Sequence, residues 1–231
     1  MGIRLIDRFL AAAALVAALP ICLLAAAGIW FADGRPLLYA SRRVGLRGRQ
    51  FTMYKLRTMR IGARRAGAIT SGSDDRVFPF GAILRTWKVD ELPQLVNVLT
   101  GDMAIVGPRP EDPAIVESCY GPLAWETLDV APGLASPGSI YSTTHGEQQL
   151  GSGPGDTVYA DELLPRKLAL DLVYVRAASL RYDLRIVGRA AAVIVWRGLG
   201  RRAFPDPPEL SDARRLEPQL RRARIHAIGP P

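Results

Sequence analysis

The chain has 231 residues, 48% of them hydrophobic and 23% charged, a composition that excludes wholesale disorder and suits one catalytic domain with accessories. Its 30 Lys and Arg outweigh 22 Asp and Glu to give +8 and a pI near 10.0, so the surface seeks an anion: nucleic acid, anionic lipid or a phosphorylated substrate. Only two cysteines (Cys22, Cys119) and two histidines (His145, His226) are present, which rules out a disulfide framework, favours a reducing, cytoplasm-facing location and gives zinc hydrolysis or a His-based triad little to build on.

From Phe9 to Ala32 run 24 residues without a charge. As a helix this stretch is long enough for a hydrocarbon core of roughly 30 Å. Three readings compete: a secretory signal cleaved near Ala25–Ala27, a spanning anchor, and a re-entrant hairpin that enters and leaves on one face. Arg4 and Arg8 precede the run, and ten basic residues against the single acid Asp33 follow it up to Arg65. Lys and Arg favour the cytoplasmic side, so both ends ask for the same side. Pro20 lacks an N–H and clashes with the preceding turn, which makes a bend there natural, although a kinked spanning helix stays open. So basic a segment directly after a cleavage site disfavours export.

Between Arg42 and Arg65 the charge is interleaved with glycines and aromatics, including Arg64 and Arg65 at its end. A polybasic patch on anionic lipid and a nucleic-acid arm both fit that composition. Within it, Phe51–Met59 alternates apolar with polar residues as a half-buried strand does, placing Lys55 and Arg57 on one face. Two cations so placed suit a diphosphate, or simply solvent.

The segment from Gly81 to Pro110 carries the most information. Pro93 suits the first turn of a helix, which runs through Gln94, Leu95, Asn97, Val98 and Leu99 to a C-terminal stop at Gly101. Asp90 and Glu91 then sit at its N-terminus, where acids commonly do no more than offset the macrodipole. Arg85 and Lys88 lie just upstream, however, and Arg109 is held between two prolines in Gly107–Pro110. Unpaired N–H groups with Arg85 and Arg109 nearby make an anion site, in which an aspartate keeps a low pKa and stays ionised as a nucleophile. Two adjacent carboxylates also suit a hard cation such as Mg²⁺. The combination points to phosphoryl transfer without identifying a substrate.

Taken together, these motifs resemble the bacterial sugar transferases, the monotopic phosphoglycosyl transferases that act on polyprenyl phosphate. The matching stretches are Arg4–Asp7, Phe51–Met59, Gly81–Arg85, Asp90–Leu95, Asn97–Leu99, Gly101–Met103, Val106–Pro110, Pro132–Leu134, Asp171–Tyr174, Ser179–Leu180 and Asp183–Leu184. They cover about residues 1–195. The resemblance implies transfer of a sugar 1-phosphate from a UDP-sugar to a polyprenyl (undecaprenyl) phosphate with Mg²⁺ as cofactor. It implies Asp90 as the nucleophile that forms a phosphosugar intermediate and expels UMP. Glu91 is tied by it to the metal or to deprotonating the acceptor, with Asp90 and Glu91 as the metal ligands. Arg85 and Arg109 are implied to hold phosphate oxygens, and Lys55 and Arg57 to lie near the membrane-facing substrates. It also implies a re-entrant membrane helix broken at Pro20, in the inner (cytoplasmic) membrane with the catalytic domain facing the cytoplasm.

Two stretches depart from the family pattern. Leu19 stands where a small polar residue usually precedes the helix-breaking proline, so no hydroxyl is available there to satisfy backbone groups freed at the bend. After Pro132–Leu134 the usual continuation is replaced by Ala135–Gln149 and a glycine-rich run to Gly155. A loop at 135–155 that contacts sugar or uridine and a plain surface insertion are equally compatible with it, and His145 reads as a hydrogen-bonding loop residue rather than a catalytic base.

Lys167 to Arg197 has the spacing of one basic amphipathic helix, with Trp196 as an interfacial anchor; packing on a core is the alternative. Beyond Arg201 the Pro- and Arg-rich sequence, ending in Pro230 and Pro231, reads as a tail or short surface helix. The expected architecture is therefore a helix-rich α+β protein, with a re-entrant membrane helix at 1–32, a small cytoplasmic catalytic domain at 33–200, amphipathic interfacial helices and a tail at 201–231. The expected partners are UDP-sugar, polyprenyl phosphate and the anionic leaflet, with a homodimer compatible and no nucleic acid. A non-catalytic membrane scaffold of the same fold and a basic membrane-anchored nucleic-acid binder are the alternatives from other classes.

Overall fold

The computed structural model describes residues 5–62, 75–146 and 158–227, the last five of these as backbone alone. Arg4, Arg64, Arg65, the 147–157 part of the glycine-rich loop, the side chain of His226 and the terminal prolines lie outside the described residues. Alanine and leucine dominate the N-terminal run, and they form one helix, α1 (Leu5–Asp33), which continues through Pro20. It is long and apolar enough to cross a membrane. Ala11, Ala18, Ala25 and Ile29 make a buried stripe along one side, while Phe9, Val16, Leu24 and Phe31 are among the apolar side chains left exposed on the others.

That stripe packs on a small mixed body. Strands β1 (Leu38–Val44) and β2 (Gln50–Leu56) pair antiparallel, from Leu38 opposite Leu56 to Val44 opposite Gln50. Helices α2 (Pro79–Thr86) and α3 (Gln94–Thr100) follow, joined by a 3-10 turn over Val89–Glu91. Gly101 stops α3 with φ of 90°, as the sequence suggested. Ala11 and Ala18 of α1 share a core with Phe51 and Met53 of β2 and with Leu95 and Val98 of α3. Ala25 and Ile29 join Leu56, Phe78 and Leu84.

A second pair of strands, β3 (Ala104–Val106) and β4 (Gly133–Ala135), runs parallel. Between them lie α4 (Pro113–Cys119) and α5 (Pro122–Trp125). A Cβ at Gly133 would fall 2.1 Å from the Gly107 nitrogen, so the close approach of these strands requires glycine there. After β4 comes α6 (Pro137–Tyr141), capped by reciprocal Ser136 and Ser139 hydrogen bonds. The Gly138 N–H donates to the buried Asp171 carboxylate (2.8 Å).

The sequence from Lys167 to Arg197, expected as one helix, is two: α7 (Leu164–Ala177) and α8 (Leu180–Gly198). Ser179 separates them because its hydroxyl accepts from the Tyr182 N–H, the action of an N-cap rather than of a helix interior. The C-terminal segment also differs from a tail. Helix α9 (Leu210–Ala227) buries Leu210, Ala213 and Leu220, and the last two belong to the core that contains Leu168 and Leu172 of α7. Glu217 within it is tied to Arg166 (3.0 Å), and Glu209 just before it to Arg189. Of the two readings, the helix is the one found, but it is longer and better seated than a short surface helix, because three apolar residues spread over eleven positions among many arginines hold it, a pattern that composition hides.

Leu220 is 5% exposed. Leu220→Ala is expected to destabilise the protein by about 2–3 kcal/mol through lost burial and the cavity left behind. Chemical denaturation in detergent checks this; a loss below about 0.5 kcal/mol would mean that α9 is not seated in the core.

Candidate active site

The 3-10 turn before α3 presents two carboxylates in opposite ways. Lys88, with φ of 56°, sets the start of the turn. Glu91 gathers cations from three directions: Lys55 Nζ on β2 at 3.2 Å, Lys88 Nζ at 3.5 Å, and Arg109. The Arg109 contact is bidentate, Nη2 to Oε1 at 2.6 Å and Nη1 to Oε2 at 3.2 Å. Bidentate charged hydrogen bonds are among the strongest side-chain contacts. Asp90, the adjacent residue, is 6% exposed, and its Oδ1 has no hydrogen-bond partner.

The electrostatics follow from that division. Burial and the neighbouring Glu91 push the Asp90 carboxyl above the usual carboxylate range, against the pull of Lys55, Lys88 and Arg85. The low pKa expected for Asp90 is thus reversed in direction, because Glu91 takes up the cations that were to serve Asp90. Burial alone would also raise Glu91, but Arg109, Lys55 and Lys88 together hold it well below the ordinary range. Neighbouring carboxylates with opposite shifts are a common mark of a reactive pair. Burial pulls Lys55 down to about 8, only partly opposed by Glu91.

The structure brings together Asp90, Glu91, Lys55 and Arg109 of the residues singled out by sequence. Arg85 is near enough to act on Asp90 while donating Nε to Thr58 Oγ1 (2.8 Å). Arg57 is not brought into the group. It follows the end of β2, and its guanidinium donates to the Asp33 carboxylate, to the Pro36 carbonyl (2.5 Å), to the Asp33 and Gly34 carbonyls (2.8 Å each) and to Met59. It therefore caps the C-terminus of α1 and fastens it to the body. His145 bonds Thr144 (2.7 Å) and lies 3.4 Å from Asp206, but it sits in a π-helical turn (Ser142–Gly146) that continues α6, not in the loop expected at 135–155.

Sequence reasoning missed Gln94. It is fully buried and neither end of its amide has a partner, whereas Asn97, three residues on, has both ends bonded to β2. Its position one turn after Asp90 was the available signal. For a hard cation, Asp90 Oδ1 is the fitting ligand: it is an unpaired, buried, anionic oxygen. Glu91 fits less well, because its oxygens are already shared among three cations. Among the described residues no group of three or more His, Cys, Asp or Glu is placed to hold a metal by itself.

The comparison with known families decides the assignment: the bacterial sugar transferase model matches residues 1–197. The chain belongs to that family. It is 38% identical over 185 residues to the UDP-glucose:undecaprenyl-phosphate glucose-1-phosphate transferase of Caulobacter vibrioides, covering 77% of this chain and 64% of that one. The protein of the same name from Xanthomonas campestris is 35% identical over 186 residues, 78% of this chain and 36% of the relative. The exopolysaccharide production protein ExoY of Rhizobium meliloti is 35% identical over 218 residues, 86% of this chain and 88% of the relative. The chain thus spans less than two thirds of the two glucose-1-phosphate transferases and most of the exopolysaccharide protein. The family match ends in the last turn of α8 and does not include α9.

Lys55 yields a prediction with a definite sign. Its folded pKa of about 8 lies below the ordinary 10.5, so its contribution to stability is complete above 10.5 and is lost as pH falls through 8. Relative to Lys55→Met, the metal-free wild type should gain on the order of 1 kcal/mol per pH unit as pH rises through that window. Denaturation series at several pH values read this difference, and a flat one contradicts the assignment.

Proposed function

We propose that this transferase moves a sugar 1-phosphate from a UDP-sugar to a polyprenyl phosphate in two displacements at one phosphorus. An Asp90 carboxylate oxygen attacks the β-phosphorus of the donor, the bond to the bridging oxygen breaks, and UMP leaves with the electron pair. An oxygen of the lipid phosphate then attacks the same phosphorus, and the Asp90 carboxylate departs to leave polyprenyl-diphosphate-sugar. The observation that carries this reading is the contrast within the turn: Asp90 is buried with a free oxygen, while Glu91 concentrates three cations beside it.

Each group has a task under this reading. Desolvation makes Asp90 a stronger nucleophile once ionised, and the nearby cations favour that form. Arg109 and Lys55 exchange part of their hold on Glu91 for donor phosphate oxygens, so the charge that develops in the transition state meets groups already in place. Freed in part, Glu91 is placed to take the acceptor's proton. Asp90 is the residue that would hold Mg²⁺, and the ion would supply charge neutralisation of the diphosphate.

We further infer that α1, continuous through Pro20 in this structure, bends at that proline in the bilayer so as to enter and leave one leaflet, with the catalytic body on the cytoplasmic side. Support comes from packing on both sides of Pro20: contacts from Ala11 to Ile29 extend about 27 Å along the helix, so the body lies beside it rather than at one end. Exposed Leu180, Leu184, Val195 and Trp196 of α8, with Ile83 of α2 and Trp87 at its end, supply further apolar surface for the membrane interface. The names of the relatives support undecaprenyl phosphate as the acceptor and an exopolysaccharide as the product's destination.

The test is UMP release by purified protein with Mg²⁺, undecaprenyl phosphate and a panel of UDP-sugars. Asp90→Asn is expected to lower the rate by at least ~10³-fold and to abolish a donor-derived mass adduct on the wild type. Turnover that survives in that variant would overturn the covalent route. Removal of Mg²⁺ with EDTA should stop release and its return should restore it; release unaffected by EDTA would remove the metal from the reading.

A further inference from the structure

Behind Arg109 lies a buried charge cluster with no part in the proposed displacements. Glu111 follows Pro110 directly, and it is 6% exposed. Its carboxylate accepts from Lys167 of α7, 56 residues away and 3% exposed, and from the Tyr159 hydroxyl (2.6 Å). Lys167 also reaches the Tyr159 oxygen at 3.3 Å. The Glu111 carbonyl accepts from Val44 N–H at the end of β1 (2.9 Å). One residue thus joins β1, the Arg109 segment, the chain entering α7 and α7 itself.

Two carboxylates act on Arg109, Glu91 by direct contact and Glu111 through space. Pro110 disfavours helical backbone at Arg109, and alternate residues of an extended segment share a side. Both acids act on the guanidinium, Glu91 most strongly and Glu111 as well. Yet the hydrogen bonds of Arg109 go to Glu91, and those of Glu111 go to Lys167 and Tyr159. We propose that Lys167, helped by Tyr159, neutralises Glu111 and so keeps Arg109 turned toward the Asp90–Glu91 site. Lys167 and Tyr159 are positioning residues on this account. Without them Glu111 competes for the guanidinium and withdraws it from donor phosphate. The kinetic part rests on the transferase reading above.

A buried ion pair that merely ties α7 to the loop makes different predictions, and a double variant separates the two. In the whole 231-residue chain, Lys167→Met is expected to raise the donor KM about tenfold with a smaller change in kcat, since a group binding donor phosphate is withdrawn. Adding Glu111→Gln removes the competing charge and should bring KM back to within about threefold of wild type. Tyr159→Phe keeps the packing and should give a smaller rise of about threefold, which covers the case in which Lys167→Met does not fold.

A structure of ligand-free Lys167→Met should show Arg109 on Glu111 instead of bidentate on Glu91. That readout needs no turnover, so it stands apart from the Asp90→Asn test of the covalent route. The proposal is overturned if the double variant is as impaired as Lys167→Met, if Tyr159→Phe leaves KM unchanged, or if Arg109 keeps its place on Glu91 in the variant.

Discussion

The convergence of Lys55, Lys88 and Arg109 on the Glu91 carboxylate is the interaction around which the site is arranged. These cations come from a strand, from the left-handed residue that opens the turn, and from a proline-flanked segment after β3. Holding them together would be unfavourable without a counter-ion, because burial penalises each charge. One carboxylate supplies that counter-ion and is largely saturated by it. Its neighbour, Asp90, is therefore buried in a positive field with an oxygen still free. With Arg85 also acting on Asp90, four cations face two carboxylates, an excess of positive charge suited to a diphosphate.

The apolar helix is part of the same construction. Ala11 and Ala18 of α1 share a core with β2, which carries Lys55, and α1 packs closely on α3, whose preceding turn carries Asp90 and Glu91. Small residues allow this close approach over much of the helix length. Arg57 then fixes the end of α1 by taking up its terminal carbonyls and Asp33. Membrane depth and site position are consequently coupled: moving α1 in the bilayer moves the two elements that present the reactive groups.

Local patterns in the sequence revealed what local forces decide. The proline start and glycine stop of α3, the strand around Lys55 and the pairing of Asp90 with Glu91 could all be read because each depends on neighbours a few residues away. Arg57 looked equivalent to Lys55 by alternation, but β2 ends at Leu56 and Asp33 waits at the end of α1, a contact across 24 residues. The direction of the Asp90 shift was illegible for the same reason. It depends on how three distant cations divide between two adjacent acids. Lys167 gave no signal at all, since its partner Glu111 lies 56 residues earlier. The C-terminal helix was obscured by composition, because its few seated apolar residues are scattered among prolines and arginines.

The pattern of unsatisfied polar atoms shows where these levels of organisation part company. Six buried side-chain polar atoms among the described residues have no partner, and three of them belong to Asp90 and Gln94, within one turn of each other. Asn97 on the same helix has both ends of its amide satisfied by β2, so the local backbone is able to provide partners where packing alone is at stake. Each orphaned buried group costs roughly 1–3 kcal/mol, and a fold selected for stability alone would place apolar side chains at such positions. Keeping a carboxylate and an amide there, beside an assembled set of cations, lowers stability while leaving hydrogen-bonding capacity for something that is not part of the chain. That local conflict with an otherwise consistent core is what distinguishes a reactive centre from a closed, non-reacting ion pair such as Glu111 and Lys167, where the charges are matched and enclosed.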